Sequence, residues 1–235
     1  MKERPLLFQS SMIRGLANTR PGTWPAEPID PSKPYKTQTR RVMKIQPDGV
    51  SIDGTPYKYK TISVVREQSI ERIDRPDDNQ DARFVDVIKC PHGQPGDRLW
   101  SKETWRAEEL EDGLDGIRYI ADAAFIPIEN SPAAAEAWGK ANYCCGRNNN
   151  WKPSIFQPRW ASRFLLELME VRVERVKSIS RADCIADGLY RIMRNDSEQD
   201  IRVRYRELWD SINGKKHPWE SNPFVWVLSF KVLPK

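Results

Sequence analysis

The sequence lacks long hydrophobic runs. No stretch approaches the roughly 20 consecutive apolar residues of a membrane-spanning helix. The apolar run near the start, residues 5–8, is too short for the core of a signal peptide. These absences argue against a membrane protein, and we expect a soluble protein in the cytoplasm.

Residues that form disulfides or bind metals are scarce. The chain has four cysteines, Cys90, Cys144, Cys145 and Cys184. They follow neither a spaced disulfide framework nor a paired CxxC pattern, so we expect reduced thiols. A zinc site built from Cys90, His92 and the Cys144/Cys145 pair is the alternative, but adjacent cysteines rarely ligate one tetrahedral ion. The sequence therefore predicts no metal site and no cofactor.

The overall composition is that of a folded globular protein. Of the 235 residues, 39% are hydrophobic, 30% are charged and nine are tryptophan, so the chain can bury a sizeable core without disulfides. We expect one domain with insertions. The 38 basic and 33 acidic side chains leave a formal net charge of +5, which favours an anionic partner, most commonly nucleic acid.

Local patterns predict both loops and strands. Five of the eighteen prolines lie between residues 19 and 34, which predicts a surface loop. Asp53-Gly54 is a hairpin-turn signal between short alternating runs. Residues 163–179 form the longest strand-like run, and residues 222–233 predict a buried strand because they are almost continuously apolar.

Three segments predict helices. One follows Pro132, and a second begins after Ser180, with Asp183 three residues later as a capping partner and Gly188 near its end. A third spans residues 197–213, where the apolar side chains share one face. Mostly β elements with two helices before the final strand predict an α+β fold built on a small curled barrel.

The basic cluster KTQTRR, residues 36–41, is the first candidate site. A threonine hydroxyl becomes a nucleophile when a base takes its proton, and a lysine can be that base if burial lowers its pKa from about 10.4 toward 7 or 8. Lys36 and Thr39 can cooperate only if the segment between them is not extended, because strand residues three apart face opposite sides. Arg40 and Arg41 suit phosphate oxygens. The alternative is a solvated basic turn.

Two tryptophan-containing segments interleave aromatic rings with cations. They are GDRLWSKETW and KPSIFQPRWASR. Indole rings can stack on bases while arginines contact the phosphate backbone. The residues selected as candidate ligand contacts are Trp100, Glu103, Arg159, Trp160 and Arg163. The alternative is that the tryptophans fill the core and the arginines are ordinary surface charge.

Asp187 precedes Gly188 at the predicted end of the second helix. A polar residue before a glycine stop is ordinary. A carboxylate there is nevertheless mildly unfavourable to the helix dipole, which hints at a role beyond the helix.

Several segments taken together resemble a known family. They are KERPLLF, KTQTRR, PGDRLW followed by ETW, PSIFQPRWASR, a helix ending in ADG, LWDSING and NPFVWVLSF. In these segments the chain resembles phage and prophage proteins of the ASCH group, within the PUA-like superfamily, over nearly its whole length. The resemblance implies a small β-barrel with flanking helices, a cleft for RNA or a nucleotide, and action inside a bacterial host cell.

The resemblance also implies roles for three residues. Small bacterial ASCH proteins remove the acetyl group from N4-acetylcytidine with a lysine, a threonine three residues later and a glutamate near the end of the following helix. Lys36 and Thr39 match the first two positions, and Asp187 stands where the glutamate would be. An aspartate is shorter by about one methylene, and a misplacement of about 1 Å can cost roughly 100-fold in rate.

We therefore expect a single PUA-like domain over residues 1–235, with insertions near residues 14–34, 66–90 and 107–152. The expected function is binding of RNA, a nucleotide or a modified nucleobase in a basic cleft. An amidohydrolase that uses Lys36, Thr39 and Asp187 is one alternative. A non-catalytic phage protein that contacts a host macromolecule is the other. We expect no contact with a membrane.

Overall fold

A computed structural model of the protein has a mixed α+β architecture, which confirms the predicted class. It describes residues 2–18, 36–47, 49–50, 54, 56–60, 84–143, 151–189 and 197–234. Within these ranges the strands are β1 (Glu3–Leu7), β2 (Gln38–Val42), β3 (Gly49–Val50), β4 (Pro56–Lys60), β5 (Phe84–Val87), β6 (Arg98–Lys102), β7 (Trp105–Glu109), β8 (Asp115–Tyr119), β9 (Phe125–Pro127), β10 (Leu165–Arg175) and β11 (Phe224–Leu233). The helices are α1 (Ser10–Ala17), α2 (Pro132–Tyr143), α3 (Arg181–Ala186) and α4 (Glu198–Asn213).

The largest sheet has five strands in the order β1-β6-β10-β11-β2. β1 and β6 are parallel, and the other neighbouring pairs are antiparallel. This order leaves β1 and β2 at the two edges. Within the described ranges the sheet is therefore open, and the strands there do not close into the predicted barrel.

β11 is buried on both faces, which is why its sequence is almost continuously apolar. Because successive side chains on a strand point to opposite faces, Val225 and Val227 enter a core cluster shared with α3 and α4. Trp226 and Leu228 enter a second cluster, which includes residues of α1 and β6. The predicted buried strand is confirmed, and each of its two faces contributes side chains to one of the two core clusters.

Capping boxes begin the last two helices, as the sequence predicts for α3. The Ser180 side chain accepts from the Asp183 N–H, and the Asp183 side chain accepts from the Ser180 N–H. Ser197 and Asp200 repeat this arrangement at α4, so Ser197 is the cap and the helix begins one residue later than predicted. The predicted helix after Pro132 is confirmed as α2.

Two smaller sheets complete the described structure. One has the order β3-β4-β5 and the other β7-β8-β9, and α2 packs on the second through Trp138 and Trp105. Gly54 lies between β3 and β4 with φ +83°, as the hairpin-turn prediction requires, whereas Asp53 lies outside the described residues. No helix within the described ranges is long and apolar enough to cross a bilayer.

Three further predictions fall wholly or partly outside the described residues: the proline-rich loop of residues 19–34, the first part of the insertion near residues 66–90 and the Cys144/Cys145 pair. The single domain and its insertion boundaries remain predictions. The described elements are nevertheless sufficient to position the candidate site, which forms where α1, β2, α3 and α4 meet.

Candidate functional site

The backbone around Lys36 joins three elements. The Lys36 N–H donates to the Gly15 carbonyl of α1 at 3.3 Å, and the Thr37 N–H donates to the Ala186 carbonyl at the end of α3 at 2.9 Å. The Phe230 N–H of β11 donates to the Thr37 carbonyl at 2.8 Å. The two residues that precede β2 are thereby held against α1, α3 and β11.

Two glycines adjoin the Lys36 side chain. A Cβ atom on Gly15 would lie 3.0 Å from Lys36 Cβ, closer than most side-chain contacts. Gly188 has φ +89°, which glycine adopts at little cost, and a Cβ there would lie 3.6 Å from Lys36 Cβ. The glycine that ends α3 therefore also forms one wall of the lysine site.

Lys36 and Asp187 form a buried ion pair although 151 positions separate them in sequence. Lys36 Nζ lies 2.5 Å from Asp187 Oδ1 and 2.6 Å from the Asp187 carbonyl oxygen. The Tyr205 hydroxyl donates to Asp187 Oδ2 at 2.7 Å, and Arg40 Nη1 donates to the same oxygen at 3.5 Å. These three donors offset the unfavourable position of a carboxylate at the C-terminal end of a helix.

Burial and neighbouring charges set the protonation states of this cluster. Burial lowers the pKa of Lys36; Asp187 opposes the shift, while Arg41 and Arg40 add to it. Burial raises the pKa of Asp187, but the charges of Lys36 and Arg40 outweigh burial and hold it below the ordinary 3.8. Burial raises the pKa of Tyr205, and the charge of Asp187 raises it further. At neutral pH, Asp187 is therefore ionised, Tyr205 is a neutral donor, and Lys36 releases its proton more readily than an exposed lysine.

Arg40 is enclosed by acceptors from its own chain. Its Nη2 lies 3.2 Å from Glu174 and 3.3 Å from Asp183. Its Nη1 donates to Gln38 Oε1 at 2.7 Å and, more weakly, to Asp187. With its side chain only 1% exposed, Arg40 positions Asp187 and presents no free guanidinium fork to a phosphate.

Thr39 contributes a buried hydroxyl that has no hydrogen-bond partner among the described residues. The residue lies in β2 opposite Leu228 of β11 and is fully buried. Alternation along the strand puts its side chain on the face opposite Gln38 and Arg40. A buried polar group without a partner costs about 1–3 kcal/mol, and such groups call for an explanation. The structure thus brings Lys36 and Asp187 into contact, whereas the unpaired Thr39 hydroxyl lies on the strand face opposite Arg40, which contacts Asp187.

Arg41 differs from Arg40 in its partners. It donates to the Leu7 carbonyl, and its guanidinium carbon lies 5.4 Å from the centre of the Phe8 ring. Among the described residues no carboxylate forms an ion pair with it. Burial lowers the pKa of Arg41 to about 10, so the side chain stays charged at neutral pH and its charge is available to a ligand.

A cleft of about 150 Å³ adjoins this cluster. Its polar lining consists of Arg40, Arg41, Asp187, Tyr205, Asn213 and His217. Its other lining residues are Met12, Val42, Gly188, Leu208, Trp209 and Ile212. A cavity on the order of 150 Å³ holds one aromatic ring, and apolar walls with a few polar groups are typical of small-molecule sites. Lys36 and Thr39 do not line the cleft, and Lys36 is linked to it through Asp187.

Glu103 and Arg163 form a separate buried ion pair. Arg163 Nε and Nη2 donate to the two Glu103 oxygens at 2.8 Å each, and its Nη1 donates to Asp122 at 2.8 Å. Burial raises the pKa of Glu103, and the interaction with Arg163 only partly offsets it. This pair joins the β6–β7 turn to the segment before β10, and its hydrogen bonds involve none of the residues around Lys36.

The other predicted ligand contacts lie near the surface. Arg159 pairs at 3.0 Å with a glutamate of β1. Trp160 packs edge-on against Trp105, with ring centres 6.1 Å apart, and Lys102 Nζ lies 5.4 Å from the centre of the Trp100 ring. These residues do not line the cleft, so the structure separates them from Lys36 and Asp187.

Sequence reasoning missed three members of the cluster: Tyr205, Asp183 and Glu174. Tyr205 lies on the apolar face of α4, a pattern that predicts a core residue. Asp183 fits a capping box, which it does form. Glu174 is one of several alternating charges along β10. No local signal distinguishes them, because their convergence depends on how the helices pack on the sheet.

Metal-binding geometry is absent from the part of the chain that the structure describes, where no group of three or more His, Cys, Asp or Glu residues could hold an ion. Cys90 is half-buried and Cys184 is buried, and both are free thiols. Burial raises the pKa of Cys184 to about 12, as expected for an unreactive core thiol. Cys144 and Cys145, the remaining ligands of the alternative zinc site, lie outside the described residues.

Comparison with known proteins identifies no relative. No protein-family model matches the chain, no curated protein shows significant similarity to it, and no solved structure matches it. The ASCH resemblance therefore rests on the sequence motifs alone.

Proposed function

We propose that the protein binds one nucleobase, as a modified nucleoside, a nucleotide or part of an RNA, in the cleft between α1, β2 and α4. This is the PUA-like ASCH function that the sequence motifs imply. One observation carries the proposal: the cleft combines an ionised acceptor, Asp187, with a cation, Arg41, that has no ion-pair partner among the described residues.

The chemistry of the lining suits a base. An ionised carboxylate offers about four acceptor sites, and Lys36, Tyr205 and Arg40 use three of those on Asp187. One site is left for an amino group of a ligand. Arg41 supplies a charge-assisted donor for a carbonyl or phosphate oxygen, and the Trp209 side chain provides an apolar wall.

The Arg41→Ala substitution tests the binding proposal. We expect it to weaken binding of the preferred nucleoside or nucleotide by about 10- to 100-fold, because one charge-assisted hydrogen bond is worth about 1.5–3 kcal/mol. Isothermal titration with cytidine, N4-acetylcytidine and cytidine monophosphate gives the affinities. Stronger binding of the monophosphate that is lost in Arg41→Ala would assign Arg41 to the phosphate.

Lys44→Ala provides the matched control. Lys44 is an exposed cation three residues after Arg41 and does not line the cleft. The control should bind as the unmodified protein does. Equal weakening by both substitutions would mean that general charge, and not the cleft, attracts the ligand.

Amide hydrolysis is a second candidate, favoured by the desolvated Lys36 amine and the unpaired Thr39 hydroxyl. In this reaction neutral Lys36 takes the hydroxyl proton as Thr39 attacks the acyl carbon. The protonated lysine then gives that proton to the departing amine, and water hydrolyses the threonine ester to release acetate and restore the hydroxyl. Asp187 orients the lysine. The reaction requires both Lys36 Nζ and the bound acyl group to reach the Thr39 hydroxyl, whereas in the structure Lys36 Nζ contacts Asp187 and neither Lys36 nor Thr39 lines the cleft.

Incubation with N4-acetylcytidine separates the two candidates. Chromatographic detection of cytidine and acetate in equal amounts supports hydrolysis. Binding of the acetylated nucleoside without product formation supports a binding protein that keeps the site geometry but has no turnover.

A further inference from the structure

A short loop exposes an unusual concentration of large apolar side chains. Within residues 151–160, which precede β10, the exposed fractions are 38% for Trp151, 57% for Ile155, 67% for Phe156 and 37% for Trp160. Single exposed apolar residues are normal on protein surfaces, but four large ones within ten positions of one segment indicate an interaction site. We refer to these four side chains, three of which are aromatic, as the aromatic patch.

The loop is held rigidly. Lys102 Nζ donates to the Ile155 carbonyl at 2.5 Å. Gln157 accepts a backbone N–H of the β6–β7 turn and donates to the Ala161 carbonyl, both at 2.7 Å. Reciprocal backbone hydrogen bonds also join Lys152 to Trp105. A surface that is already ordered loses little conformational entropy when a partner binds.

Cations lie against one ring of the aromatic patch and against two indoles outside it. Arg106 lies 4.7 Å from the centre of the Trp151 ring, and Lys102 and Lys152 lie over the neighbouring indoles of Trp100 and Trp105. Among the described residues, the Lys102 and Lys152 amines hydrogen-bond to backbone carbonyls and form no ion pair with a carboxylate. Their uncompensated positive charge is complementary to an anionic partner.

We infer that the aromatic patch binds single-stranded nucleic acid, with bases stacked on Phe156 and Trp160 and with Lys102 and Lys152 near the phosphates. Aromatic side chains beside cations are how proteins hold single strands without sequence preference. A duplex keeps its bases stacked inside and does not offer their faces to these rings. None of the four patch residues lines the cleft, so this inference does not rest on the proposed function.

Fluorescence anisotropy with labelled oligonucleotides tests the inference. The full-length protein should bind a single strand in low salt and bind the same sequence as a duplex more weakly. Phe156→Ala and Trp160→Ala should each weaken single-strand binding by about tenfold or more. Added salt should lower the affinity, because each neutralised phosphate releases condensed counterion. Melting temperature checks that the exposed substitutions leave the fold intact.

Val203→Ala is the control, since Val203 is a 50% exposed apolar residue on α4 and does not belong to residues 151–160. It should bind the oligonucleotide normally. The inference is overturned if no single strand binds in low salt, if a duplex binds equally well, or if both aromatic substitutions keep full affinity. Arg41→Ala should weaken nucleoside or nucleotide binding in the cleft but retain oligonucleotide binding, so failure of the cleft proposal and failure of this one give different results.

Discussion

Within the described residues, two buried carboxylates meet cations from distant parts of the chain, and the two are held differently. Asp187 faces Lys36 and Arg40 and accepts from Tyr205, and its pKa is lowered. Glu103 meets one arginine, Arg163, through two parallel hydrogen bonds, and its pKa is raised.

The balance of neighbouring charges and hydrogen bonds decides the direction of each pKa shift: the Tyr205 hydroxyl adds to the effect of the cations on Asp187, whereas the charge of Asp122 raises the pKa of Glu103 further. For Asp187, two cations outweigh the cost of removing the carboxylate from water. For Glu103, one arginine, which also contacts Asp122, does not outweigh that cost. The fork of Arg163 also occupies both Glu103 oxygens. Asp187 has a free acceptor site beside the cleft, and it contacts Lys36, whose pKa is lowered. Of the two clusters, the Asp187 cluster is therefore the one that can bind a ligand and react with it.

The largest expected effect comes from removing the hydroxyl of Thr39. If the protein hydrolyses an acyl group, Thr39→Val should lower turnover by about 1,000-fold or more, because the nucleophile is lost while the side-chain shape is kept. Stability should nevertheless rise by about 1 kcal/mol, since the buried hydroxyl has no partner to lose. Product formation and urea unfolding measure the two effects.

Ser101→Ala is the matched control near Glu103. Ser101 is also fully buried, but its hydroxyl lies 3.4 Å from that of Ser162, so its removal should lower stability and leave turnover unchanged. Thr39→Ser should retain most activity. A loss of stability in Thr39→Val would show instead that its hydroxyl makes a hydrogen bond.

Breaking the two ion pairs should have unequal costs. Asp187→Asn should destabilise the protein by about 3–5 kcal/mol, because it leaves Lys36 buried without a carboxylate. Glu103→Gln should cost about 1–3 kcal/mol, because Arg163 keeps its contact with Asp122. Urea unfolding at neutral pH gives both values. Equal losses would mean that the number of opposing cations does not distinguish the two sites.

The smallest effect is the difference in pH dependence between the two variants. The folded-state pKa of Asp187 lies below 3.8, so its contribution is present above that pH and is lost as the pH falls through the folded-state value. The pKa of Glu103 lies above 4.5, so its contribution to stability improves as the pH falls toward 4.5. As the pH falls into strong acid, Asp187→Asn should lose less stability than the unmodified protein, because it lacks the carboxylate that becomes protonated. As the pH falls toward 4.5, Glu103→Gln should lose more stability than the unmodified protein, because it lacks the group whose protonation stabilises the fold. Unfolding free energies measured across this range check both slopes, and parallel curves for all three proteins would contradict the shifts.

Several elements follow from the sequence because their causes are local. The capping box at Ser180, the apolar face of α4 and the apolar run of β11 involve neighbouring residues, and each is confirmed. The predicted barrel depends on which strands pair at the edges of a sheet. Within the described residues those strands form an open sheet, an outcome that periodicity does not determine.

By itself the sequence determined that Lys36 and Thr39 lie three residues apart, that Asp187 follows a short capped helix, and that basic residues outnumber acidic ones. Only the tertiary structure decided that Lys36 meets Asp187, that Arg40 is enclosed by Glu174 and Asp183, and that Glu103 belongs to a different cluster. The physical reason is that each of these contacts joins residues that are distant in sequence. They meet, and are removed from water, only when the helices pack on the sheet.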